Sequence, residues 1–238
     1  MEIDNILLLR TIFLLLPFIA LYSYFYYYVK DDFFLKPRTY IQLNIIMLSL
    51  VIAFILTVYW NLSLREYSFV GFALESIHGK NSNQSSNVIL ILLGTLTAVL
   101  GWLFTNRGQD LNSRRSHSIQ TLMSSRLSEA YANHSNYATK VFTSLKEKHG
   151  EVYNLSLQDY SELEQLERNA IIYQLNYFEF IAVGIRYGDL DENLIKNTLK
   201  SIINTNCVFF QNIIKDKQGK SPSLYEHLTA LNERWNCK

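Results

Sequence analysis

Long stretches without a charge constrain this chain more than any other feature. Between Arg10 and Lys30 lie 19 uncharged residues, Thr11–Val29. Residues 39–64, between Arg38 and Arg65, contain 26 more, with an apolar centre at Ile41–Trp60. Residues 81–106, between Lys80 and Arg107, contain another 26, centred on Val88–Thr105. A helix needs roughly 20 apolar residues to cross the hydrocarbon core of a bilayer. The three stretches therefore read as membrane spans, at about 11–29, 41–60 and 88–105. Residues 1–105 form a transmembrane region, and residues 106–238 read as a helical cytosolic domain.

The flanks agree with that division. The first stretch ends in Tyr22, Tyr24, Phe25, Tyr26, Tyr27 and Tyr28, and Trp60 and Trp102 sit near the ends of the other two. Such residues suit the headgroup level, where ring and polar group are both accommodated. Glu2 and Asp4 stand where a signal peptide carries positive charge, and bulky tyrosines stand where it has a cleavage site, so the first span is expected to stay uncleaved. Lys30, Lys36 and Arg38 lie in the first loop, and Arg107, Arg114, Arg115 and Arg126 follow the third span. The second loop, 61–87, holds only Arg65 and Lys80. The positive-inside rule then assigns the first loop and the C-terminal domain to the cytoplasm. Within the second loop, residues 66–80 read equally as an interfacial helix or as a packed loop, and 81–87 as a polar turn.

The third span is expected to continue as a helix through Arg107 and past Arg126, since Gly108 is its only breaker and the apolar residues keep helical spacing. A continuing helix is favoured over a signal-carrying stalk. Arg114 and Arg115 would meet anionic headgroups or serve only as topogenic charges; both readings stay open. Ser156 to Asp159 resembles a capping box opening a helix of about 30 residues that ends at Tyr187 and Gly188. Asp189 to Glu192 caps a second helix reaching about Ile214, and Ser221 with Pro222 opens a last one through Trp235. No run alternates as a strand would. The fold class is all-α: three transmembrane helices followed by a helical bundle.

Composition excludes several functions. A formal net charge of +1 gives no basic excess for nucleic acid. The five histidines are scattered, the two cysteines, Cys207 and Cys237, match no metal spacing, and no phosphate loop or nucleophile elbow occurs. No cofactor, metal or catalytic residue is expected, and the chain does not read as an enzyme. Residues 170–186 are apolar on nearly every side, the mark of a core helix. Asn176 and Glu179 share one face within it. A buried carboxylate needs a partner, for which Arg168, Arg186 or an arginine of the long helix is available. Glu179 reads first as a paired group fixing helix register and second as a sensing or catalytic carboxylate. A hydrolase built on it is disfavoured, because no base or nucleophile accompanies it.

Two stretches carry a resemblance. One is Leu-Gly-Trp-Leu-Phe ending at Phe104, followed by Arg107 and by Asn112 to Arg115. The other runs from Ala170 to Asp191 around Asn-Tyr-Phe-Glu, with Trp235 near the end. Over residues 88–236 they resemble a bacterial membrane-anchored helical family, domain of unknown function 4760, to which this chain adds two N-terminal spans. The overall shape also resembles membrane effectors of anti-phage defence systems, such as retron-associated transmembrane proteins. That resemblance implies a bacterial inner-membrane effector of antiviral defence, held by a cytosolic protein or ribonucleoprotein regulator and disrupting the bilayer on release. Three spans enclose little, so a breach would need a homo-oligomer. The alternative is a membrane-anchored sensor or scaffold that binds a cytosolic partner and never permeabilises.

Overall fold

The computed structural model describes residues 5–36, 39–63, 82–150 and 153–236; for 5–11, 13–14, 39–40, 57–63, 82–89 and 92 it describes the backbone alone. Every regular element among the described residues is helical. In chain order they are α1 (Asn5–Tyr24), a π-helical turn (Phe25–Val29), α2 (Thr39–Ser63), α3 (Ser82–Arg126), α4 (Glu129–His149), α5 (Leu157–Glu162), α6 (Gln165–Arg186), α7 (Glu192–Phe209), α8 (Gln211–Lys220) and α9 (Glu226–Asn236). The chain divides into two compact units: residues 1–32 with 37–110, and residues 33–36 with 111–238. The segment read equally as an interfacial helix or a packed loop, 66–80, lies outside the described residues. Among the described residues no helix is long and apolar enough to cross a membrane.

In the first unit α1 packs against α2. Arg107 donates from Nη1 to Oδ1 of Asn44 at 3.0 Å, tying α2 near its N-terminus to α3. The hydroxyls of Thr95, Thr97 and Thr105 each donate to the carbonyl four residues back. Their polarity is thus satisfied within the helix itself. Large apolar side chains face outward along all three helices, among them Ile19, Ile55, Ile91 and Phe104, at 56% to 69% exposure.

The second unit is built around α6, which packs against α4 and α9, while α7 packs against α8 and α9. Ile171, Leu175, Phe178, Ile181 and Ile185 of α6 have no exposed surface. On α7 the residues Ile195, Leu199 and Ile203 are likewise fully buried, four apart, so one stripe of the helix faces the core. Burial of each such side chain stabilises by roughly 1.5–3 kcal/mol. α6 is not apolar-buried all round, however: Leu166 and Phe180 are 57% and 60% exposed.

Several boundaries differ from the expected ones. α3 begins at Ser82 rather than Val88, so the polar turn expected at 81–87 is helical from Ser82 onward. It stops at Arg126, where Ser128 accepts from the N–H of Tyr131 and caps a separate α4. The long helix expected from Ser156 is two. Ser156 does cap α5, accepting from the N–H of Asp159, but the chain is extended at Leu163 and Glu164. Glu167 accepts from the N–H of Glu164, and Arg168 donates to the carbonyl of Ser161, so side chains satisfy the broken backbone.

Asp191 caps α7 by accepting from the N–H of Leu194, but α7 ends at Phe209 instead of near Ile214. The cause is tertiary. Phe209 gives its carbonyl to the N–H of Leu155, and Asn212 donates to the carbonyl of the same fully buried residue. The last helix begins at Glu226 rather than Pro222, for a reason that lies on α6.

Candidate functional site

α6 carries Asn176 and Glu179 three residues apart, on one face. Glu179 pairs with none of the arginines available to it. Its carboxylate accepts from the N–H of Leu228 at 2.7 Å and from that of His227 at 3.3 Å. These are second and third residues of α9, whose free amides favour a negative charge. Glu179 therefore caps a helix remote in sequence. Asn176 is exposed, and its Oδ1 accepts from the hydroxyl of Tyr225 at 3.2 Å. Tyr225 is buried and adopts φ 59°, a left-handed conformation costly for a tyrosine. Burial above all, then Tyr160 and Glu179, pushes its phenol above the ordinary value. The cap thus comes from a neighbouring helix, which is why α9 starts after Tyr225 and not at Pro222.

Arg186, in the last turn of α6, performs a different task. Nε donates to the carbonyl of Phe33 at 3.1 Å, and Nη1 lies 2.7 Å from Nδ1 of His227. Its own carbonyl accepts from the N–H of Leu35 at 2.8 Å. A guanidinium can only donate, so the ring nitrogen of His227 is the acceptor in this contact. Nε2 faces Glu226 at 3.4 Å. Arg234 lies over the rings of Phe33 and Phe34, 4.5 Å and 5.2 Å from their centres, and is held by Glu192 through a 2.8 Å hydrogen bond. Trp235 donates its indole N–H to the same Glu192 oxygen at 3.2 Å. Lys36 sits 4.9 Å over the ring of Tyr187. A short strap, residues 33–36, is thereby bound to α6 and α9 within its unit.

Arg115 meets Asp191 at 3.5 Å, an exposed pairing of small energetic weight. Arg114 approaches Gly188, whose φ of 75° ends α6 in the glycine conformation expected there. Neither arginine joins Asn176 and Glu179. Cys207 is a free, buried thiol, pushed up to about 12 by burial and so poorly nucleophilic. Among the described residues no cluster of His, Cys, Asp or Glu is arranged to hold a metal ion.

Asn176 and Glu179 stand out in the sequence, and Glu192 only as part of a cap, but the strap, His227 and Arg234 do not. Arg186 stands out only as a possible partner of Glu179, which is not the contact it makes. No local pattern marks these residues, since Arg186 and Phe33 are 153 residues apart.

No curated protein and no solved structure matches the chain. The family described as domain of unknown function (DUF4760) matches residues 88–235, a segment that takes in the Asn176 and Glu179 face, Arg186 and all of α9 up to Trp235. The match covers more than half of the sequence, and the chain belongs to the DUF4760 family.

Proposed function

We propose that this chain is a bacterial inner-membrane effector of antiviral defence, whose DUF4760 domain is held by a cytosolic regulator and whose N-terminal helices breach the bilayer on release. The observation that carries the reading is the outward surface of the first unit. Ile12, Leu16, Ile19, Ile55, Leu90, Ile91, Trp102 and Phe104 are each more than half exposed. Water-facing proteins rarely present so much apolar surface, whereas lipid-facing helices do so by necessity.

The scarcity of charge in these helices supports it. α2 covers Thr39–Ser63, 25 residues without one Asp, Glu, Lys or Arg. α1 has 20 residues and one charge, Arg10. The hydrogen bond from Arg107 to Asn44 keeps the start of α2 level with the end of the third span, as the positive-inside assignment requires. Interhelical bonds of this kind are common glue between membrane helices.

The domain offers a surface for a protein regulator. Ile119, Met123 and Leu127 recur every four residues along one exposed stripe, at 46%, 56% and 77% exposure. Cells carrying the complete operon should lose membrane potential after phage infection, and cells with this gene deleted should keep it. Infected cells that stay polarised and grow normally in both cases would leave the anchored sensor or scaffold as the better reading.

A further inference from the structure

Two exposed patches of the C-terminal unit carry apolar side chains and opposite charge. On α3 the stripe of Ile119, Met123 and Leu127 continues past the end of the helix, because the N–H of Leu127 donates to the carbonyl of Met123 at 2.9 Å. The segment 111–128 holds three arginines and neither Asp nor Glu. The corner where α5 meets α6 is the reverse. Leu157 and Leu166 are 48% and 57% exposed there, and 157–167 holds four acidic residues and neither Lys nor Arg. We propose that the basic stripe of one copy of this chain docks on the acidic corner of a second copy, joining the domains head to tail. A second copy thus fills the stripe that a regulator vacates; that order of events alone rests on the proposed function, and the contact itself does not.

The corner keeps its charge. Glu162 accepts from the side-chain amide of Gln158 at 3.4 Å, and Glu164 and Glu167 form a capping box on backbone N–H groups. All of these donors are neutral. Arg168, the next base along α6, donates to the carbonyl of Ser161 at 2.9 Å. Asp159 is held by Ser156 and Tyr153 and lies near Lys148, so Glu162, Glu164 and Glu167 carry the surplus. Beside the stripe, Arg126 is exposed, and Arg115 is 65% exposed and shared with Asp191 at 3.5 Å, a pairing that water screens. The first acid to follow the stripe is Glu129, in the first turn of α4.

One copy does not bring its own patches together. Ser118 accepts from the N–H of Asp191, and Ser125 donates to the hydroxyl of Tyr177, which fixes the stripe beside the C-terminal half of α6. Leu166 lies in the first turn of α6, roughly 16 Å before Tyr177 along the axis. Two stripes do not suit each other either, because arginines would face arginines. Stripe on corner sets apolar against apolar and guanidinium against carboxylate. Such a pair still has one stripe and one corner uncovered, the mark of a heterologous contact that propagates into a ring or an open chain.

The test uses the full chain in detergent micelles, with a benzophenone amino acid in place of Gln120, an exposed residue beside the stripe. Illumination should yield a covalent dimer, and peptide mass spectrometry should find the attachment within 153–170 of the other copy. Met123→Glu and Leu166→Lys, both at exposed positions, should each lower the dimer yield about tenfold or more. Mixing the two variants leaves one intact contact: the Leu166→Lys copy carries the benzophenone and a whole stripe, the Met123→Glu copy a whole corner. That mixture should restore the dimer and form nothing larger, which also shows that both variants fold. Absence of a dimer in the wild type overturns the proposal and leaves the stripe to a regulator alone. So does attachment within 111–128 of the other copy, an undiminished yield in either variant, or a mixture that gives no dimer. Membrane potential is not read, so failure of this contact leaves the antiviral reading standing, and failure of that reading leaves the contact standing.

Discussion

Glu179 and Leu228 are joined by a 2.7 Å hydrogen bond, in which the backbone N–H of Leu228 donates to the carboxylate of Glu179 across 49 residues of sequence. A side chain in the middle of α6 thus performs the capping that Ser, Thr or Asp normally performs from within a helix's own sequence. Removing the carboxylate should therefore cost what a lost cap costs. Glu179→Ala is expected to destabilise the domain by about 1–2 kcal/mol, and Glu179→Gln by less, because the amide keeps one acceptor. Thermal unfolding of the two variants and the wild type checks this. A melting temperature unmoved by Glu179→Ala would show that α9 does not depend on the cap.

Tyr225 and Asn176 should be energetically coupled. The phenol must keep its proton to donate to Asn176, and burial already holds its pKa above the ordinary value. A raised pKa means stability that is complete below the unfolded value of about 10 and lost as pH rises through the folded one. Tyr225→Phe and Asn176→Ala are each expected to cost about 0.5–1.5 kcal/mol, with Asn176 towards the low end because water competes there. The double variant should cost less than the sum of the two. Strict additivity in that cycle would contradict the bond.

Asp159 makes the opposite prediction in acid. Hydrogen bonds from Ser156 and then Tyr153 hold its carboxyl below the ordinary value. A lowered pKa contributes stability that is present above the unfolded value near 3.9 and lost as pH falls through the folded one. Asp159→Asn should remove that part of the acid sensitivity, so the stability curves of variant and wild type converge as pH drops from about 5 towards about 2. Parallel curves would assign the acid response elsewhere.

Gly184 marks a close approach. A Cβ there would lie 2.7 Å and 2.8 Å from two atoms of Leu190, which is itself buried, and the Gly184 carbonyl accepts from the N–H groups of both Asp189 and Leu190. The neighbour is tied down and cannot easily give way. Gly184→Ala should cost about 1–3 kcal/mol through overpacking, whereas helix propensity alone would make it stabilising by about 1 kcal/mol. The sign of the change in melting temperature decides between the two.

These contacts also mark how far the sequence could be read. Ser156 and Gly188 declare themselves through local chemistry, and the box read over Asp189 to Glu192 marks the start of α7, although the capping side chain is Asp191. The breaks at Leu163 and Phe210 were not legible. Local helical pattern runs through both, and the second is imposed by the buried backbone of Leu155, far earlier in the chain. The same holds at the site. Asn176 and Glu179 stand out as polar residues in an apolar run, but their partners are the hydroxyl of Tyr225 and the backbone of His227 and Leu228. Neither has a sequence signature, and the strap at Phe33 sits still farther from the helix that holds it.

The helices of the first unit are proposed to act on the bilayer, and everything else in the functional reading depends on that. Its most direct measurement is the membrane potential of bacteria expressing this chain alone, without its operon, followed with a potential-sensitive dye after induction. Rapid depolarisation and arrested growth are expected, both abolished when residues 1–110 are removed. Sustained polarisation and normal growth, with the full chain present in the membrane fraction, would contradict it.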